Sequence, residues 1–164
     1  MILATHAIIG AAVSQAFPSH PAIGFLLAFL SHFVADAIPH WDYKILSGST
    51  KDPLSPLDKD IAMNSPLFMR DLFRTGSDFA IGLILSAILF PGAPISLILL
   101  GVIGGVLPDV LQLAYTKIRR EPLIALQKFH GWIHSQEKIR NVIGGISFQI
   151  IVVLIIKITI SSAY

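Results

Sequence analysis

Residues 21–40 read Pro-Ala-Ile-Gly-Phe-Leu-Leu-Ala-Phe-Leu-Ser-His-Phe-Val-Ala-Asp-Ala-Ile-Pro-His. A helix needs ~20 predominantly apolar residues to cross a bilayer, and this stretch supplies them. Its last third carries His32, Asp36 and His40 at i, i+4 and i+8, which is one face of a continuous helix. A carboxylate about one turn inside a span costs ~2.5 kcal/mol or more unless it is paired. No Lys or Arg lies within this stretch to pair with Asp36. Histidines or a cation are the partners left, and one metal ion satisfies all three side chains together.

Four further apolar stretches flank this one, at Ile2 to Phe17, Asp78 to Phe90, Pro94 to Tyr115 and Val142 to Ser161. The hydrophobic fraction of 54% and charged fraction of 13% are wrong for a soluble domain of 164 residues, which needs more polar surface. The expected fold is a single all-α integral membrane domain over residues 1–164, with about five short transmembrane helices. Pro18-Ser19-His20-Pro21 and Pro91-Gly92-Ala93-Pro94 break the chain where hairpin turns are needed. Two helical hairpins and a C-terminal span follow. The hairpins resemble a duplication: His6-x-x-x-Gly10 and Asp78-x-x-x-Gly82 open them, and Pro39-His40 and Pro108-Asp109 close them. The first stretch lacks the basic flank of a signal peptide, so it is read as a structural helix.

Two longer polar connections remain. Trp41 to Ser77 holds Lys44, Lys51, Lys59, Arg70 and Arg74, and Thr116 to Asn141 holds Lys117, Arg119, Arg120, Lys128, Lys138 and Arg140. Every basic residue but Lys157 is in one of them. The positive-inside rule puts both connections and the N-terminus in the cytoplasm, in a multi-pass protein of the cell membrane. The C-terminus then lies outside, with Lys157 snorkelling toward that face. Ser65-Pro66 and Glu121-Pro122 read as starts of interfacial helices, over Leu67 to Arg74 and Leu123 to Ile133.

A hairpin returns its two ends to one membrane face, so the polar residues gather. His6 and Asp78 begin helices on the same side as His40 and Asp109, and His130 and His134 stand i, i+4 in the second connection. His20 lies in the opposite turn and is set aside as solvated. The candidate metal ligands are His6, His32, Asp36, His40, Asp78, Asp109, His130 and His134, with Asp42 as candidate general base. The chain has no cysteine, so the donor set is imidazole and carboxylate; zinc is the first choice, with manganese, iron or nickel as alternatives. These candidates exceed what one ion uses and suit two or three ions sharing carboxylates. Such clusters activate water at neutral pH and clamp phosphoryl oxygens. A net charge of only +2 gives no nucleic-acid footprint.

Thr5-His6, Pro39-His40-Trp41-Asp42, Pro108-Asp109 and His130-x-x-x-His134-Ser135 resemble the membrane-bound metal-dependent hydrolases predicted in bacteria and archaea. The resemblance covers most of the chain through short motifs. His32-x-x-x-Asp36-x-x-x-His40 and the later histidine pair also look like the zinc-dependent phospholipase C group and its nuclease relatives. That group uses His-x3-Asp-x5-His and a later His-x3-acid pair to bind three zinc ions. Here the first element is two residues shorter, His134 stands at the acid's place, and no N-terminal tryptophan offers its amine. The resemblance implies a membrane phosphoesterase whose partner is a phospholipid or lipid-linked substrate. A metal transporter is the rival class, together with a non-catalytic metal-binding protein. Transport needs polar groups across the membrane, and Leu83 to Phe90 and Pro94 to Ile103 offer only Ser86 and Ser96.

Overall fold

A proline at residue 39 disfavours helical backbone at Ile38, and a helix that begins at Pro21 therefore stops early. The computed structural model, which describes residues 1–52 and 55–162, ends this helix at Asp36. Its elements are α1 (Leu3–Gln15), α2 (Pro21–Asp36), β1 (Gly48–Thr50), β2 (Lys59–Ile61), α3 (Pro66–Leu89), α4 (Ile95–Tyr115), α5 (Leu123–Ile133) and α6 (Val142–Ser162). His40 thus lies beyond α2, and the single helical face expected for His32, Asp36 and His40 holds only for the first two. Residues 163 and 164, expected outside the membrane, fall beyond the described residues.

The protein is helical, as expected, but three spans rather than five are supported by length and apolarity: α3, α4 and α6. α1 and α2 are apolar yet only 13 and 16 residues long. At about 1.5 Å per residue they fall short of the ~30 Å hydrocarbon layer. α3 corrects a second expectation. The surface helix at Leu67 to Arg74 and the short span from Asp78 are one continuous helix of 24 residues. Ser65 caps it by accepting from Leu67 N at 3.2 Å, with Pro66 in the first turn. Its charged first turns are engaged: Asp71 accepts from Leu46 N, Ser47 N and Ser47 Oγ, and Arg74 donates to Lys44 O. These bonds dock the segment leading into the β1–β2 antiparallel ribbon, which pairs Gly48 with Ile61.

α1 is apolar on every side, which fits a helix enclosed by others. It packs against α2, α3, α4 and α6, and ten of its residues are buried. Small residues permit that enclosure. Gly10 faces Gly101 and Gly105 of α4, and Gly82 of α3 faces Ala4 and Ala7. A Cβ at Gly105 would collide with the backbone oxygen of His6. Gly105→Ala is therefore expected to destabilise the protein by about 1–3 kcal/mol through overpacking. Thermal unfolding in detergent checks this, and an unchanged midpoint would remove the close α1–α4 approach.

The two proline turns lie together at one end, where Gln15, Pro18, Pro91, Pro94 and Ile160 line a common depression. Five of the six histidines, all but His20, gather toward the other end around Asp36. α6 turns only a narrow stripe inward, including Gln149 and Val153, while Ile143, Ile150, Ile151, Leu154 and Ile158 are exposed as lipid-facing residues would be.

Candidate metal centre

Asp36, at the last turn of α2, is the hub of the site. It is 2% exposed, and imidazoles surround both its oxygens. Near Oδ1 lie His6 Nε2 at 3.1 Å and His40 Nε2 at 3.7 Å. Near Oδ2 lie His130 Nε2 at 3.0 Å, His32 Nε2 at 3.2 Å and His134 Nε2 at 3.9 Å. Five imidazoles thus turn the same ring nitrogen toward one carboxylate. They come from α1, α2, the segment after α2, α5 and the residue ending α5.

The outer nitrogens explain how the rings are held. His32 Nδ1 donates to Gly105 O at 2.9 Å, His40 Nδ1 to Ile38 O at 2.6 Å, and His134 Nδ1 to Ser135 O at 3.1 Å. His130 Nδ1 is 3.5 Å from the Gln112 side-chain amide. A ring that donates through Nδ1 in the neutral state presents a lone pair at Nε2. His32 Nε2 and His130 Nε2 are only 3.4 Å apart. Because the Gln112 amide nitrogen can only donate to His130 Nδ1, the neutral His130 ring carries its proton on Nε2, between Asp36 Oδ2 and the His32 lone pair, and a metal ion there would take that proton's place. His6 stacks on His32 with ring centroids 3.9 Å apart, and neither of its buried nitrogens has a hydrogen bond. Its approach to Asp36 is close but not aligned as one. A buried imidazole with both nitrogens unsatisfied suits a ligand awaiting its ion.

Three ligand sets place one donor atom from each residue within 4.8 Å of the others: His6 with His32 and Asp36, His32 with Asp109 and His130, and Asp36 with His40 and His134. They share His32 and Asp36. The residues present therefore fit a metal ion by donor type, convergence and outer hydrogen bonding. The side chains of Asp42, His134 and Asp109 are 22%, 24% and 30% exposed and form the wetter rim. The others are at most 2% exposed.

Asp42 Oδ2 lies 3.0 Å from His40 Nε2, a hydrogen bond when that ring carries a proton on both nitrogens. Burial pushes the Asp42 carboxyl up, but the His40 hydrogen bond and the Met1 amino group outweigh it and hold the carboxyl well below the usual carboxylate range. It is ionised at neutral pH. Asp78 stands in none of the three sets; its carboxylate accepts from Leu3 N at 2.7 Å and Tyr43 OH at 3.2 Å, at the start of α1. Burial, with the carboxylate of Asp78 adding to it, raises the Tyr43 phenol above its ordinary value. His20 is exposed in its turn.

Some participants carry no motif. The Met1 amino group donates to Asp36 Oδ1 at 2.6 Å and lies 3.2 Å from Asp42 Oδ1. It is a cation that a search of the helices for Lys and Arg misses. Gly105 O and the Gln112 amide are equally silent in a ligand search. Ser135 N bonds Asp36 O at 2.8 Å and Ile139 N bonds His40 O at 3.1 Å, so the chain after α5 runs beside residues 36–40 and delivers His134. No protein-family model, curated protein or solved structure matches the chain.

Proposed function

We propose that the protein is a membrane-embedded metal-dependent hydrolase of a phospholipid or another lipid-linked phosphoester at the cytoplasmic leaflet. The observation that carries this reading is the convergence of five imidazole Nε2 atoms on buried Asp36. His6, His32, Asp36, His40, Asp109, His130 and His134 would hold zinc, or manganese, iron or nickel. Asp36 stands in two of the three ligand sets, which would suit a site of more than one ion. Bound there, the metal supplies Lewis acidity toward a phosphoryl oxygen and activates water at neutral pH.

The chain's own residues supply the remainder. Asp42, ionised at the rim, accepts a proton from attacking water. Lys59, within electrostatic reach of Lys138, Asp36, Asp42 and Asp109, brings positive charge near these carboxylates and suits an anionic substrate. Exposed Trp132 and Phe129 on α5 and Phe73 and Met69 on α3 suit an interface where a lipid head group meets the site.

A metal-binding protein without turnover is the second reading. The Met1 amino group counts against both, because it already offsets part of the Asp36 charge without any ion. Metal analysis of purified protein with and without chelator comes first, followed by a hydrolysis panel. The hydrolase reading expects at least one bound first-row ion and phosphoester cleavage abolished by chelation. Bound metal with no cleavage of phosphoesters, amides or glycosides favours the binding protein, and metal-free protein ends both readings.

A further inference from the structure

α6 reads from its sequence as a plain membrane anchor, yet Gln149 is 2% exposed on its inward stripe. A buried amide in an apolar helix is costly unless its hydrogen bonds are made. Gln149 makes three. Its Oε1 accepts from Ile2 N at 3.2 Å and from Thr5 Oγ1 at 2.9 Å, and its Nε2 donates to Trp41 O at 2.9 Å. Each partner adjoins the centre: Thr5 precedes His6, Ile2 follows Met1, and Trp41 links His40 to Asp42. One turn earlier, Gly145 lies so close under Trp41 that a Cβ there would meet its side chain.

We propose that Gln149 is a positioning residue of the metal centre, clamping the start of α1 and the His40–Asp42 segment so that His6, His40 and Asp42 keep their places around Asp36. This inference rests on the metal-site reading above. The two clamped segments come from opposite ends of the α1–α2 hairpin. Their own bonds to each other run through charged groups at Met1, Asp36 and Asp42, which shift when an ion binds. Gln149 ties them through neutral groups outside that charge balance.

The test is zinc affinity of the full chain in detergent, measured on wild type, Gln149→Leu, Gln149→Glu and Val153→Ala. Outer residues that orient metal ligands typically contribute about 10- to 100-fold in affinity. Gln149→Leu breaks all three bonds and is expected to weaken zinc by that factor. Gln149→Glu keeps the two acceptor bonds, loses the donor to Trp41 O, and is expected to fall between. Val153→Ala removes packing on the same buried stripe without touching the clamp, and is expected to lower the thermal midpoint while leaving zinc affinity unchanged. Wild-type affinity in Gln149→Leu overturns the proposal, as does an equal affinity loss in Val153→Ala, which would reduce the role to general packing. Wild type that binds neither zinc nor manganese, iron or nickel overturns the metal-site reading and the clamp with it.

Discussion

Asp36→Asn is expected to abolish zinc retention at concentrations that saturate the wild type. The change keeps the size of the side chain and removes the charge that offsets both the ion and the Met1 amino group. Breaking a buried charged cluster by removing one partner costs about 3–5 kcal/mol. In affinity that is roughly 100- to several-thousand-fold. The variant is also expected to be less stable without metal, because the Met1 amino group 2.6 Å from Asp36 loses its counter-charge. Two measurements separate these effects. Thermal unfolding without metal reads the lost ion pair. The rise in midpoint on adding zinc reads the ion itself, since a ligand at 100 times its Kd stabilises by about 2.7 kcal/mol. A zinc-dependent rise equal in Asp36→Asn and wild type would remove Asp36 from the centre.

Asp42→Asn is expected to lower phosphoester turnover by about 100-fold or more while zinc content and fold stay near wild type. The basis is position: Asp42 lies at the half-buried rim, beside His40 and outside the three ligand sets, with Oδ1 3.2 Å from the Met1 amino group. Metal content is the discriminating readout. Loss of zinc in parallel with turnover makes Asp42 a ligand, and unchanged turnover removes it from the chemistry.

The site was more legible in the sequence than the path of the chain around it. Spacing of i, i+4 joined His32 to Asp36 and His130 to His134, and the proline turns placed the ends of the hairpins. Pro39 is visible too, but the regular i+8 spacing hides the fact that His40 has already left the helix. Asp78 sits at the start of its apolar stretch just as His6 does, yet it caps α1, because the nearby donors are Leu3 N and Tyr43 OH. The continuity of α3 was obscured by Arg70, Asp71 and Arg74, which read as an interface until Leu46 and Ser47 are seen to engage Asp71, and Lys44 to engage Arg74. Gln149 lies in a helix apolar on all sides, so no periodicity marks its face as inward. The enclosure of α1 rests on the small residues Ala4, Ala7, Gly10 and Ala11, but by length and apolarity the stretch reads only as a short span.

The enclosure of α1 bears on how the protein is made. This helix is too short to settle in a bilayer unaided, and its closest partner surface is formed by Gly101 and Gly105. Synthesis at ~5–20 residues per second puts on the order of 5 to 20 s between the appearance of Gly10 and that of Gly105. Through that interval α1, with His6 on it, has only α2 and α3 to pack against and lacks the α4 face of its enclosure. The enclosure of α1 is therefore completed only once α4 has emerged, so the surroundings of His6 close late in synthesis.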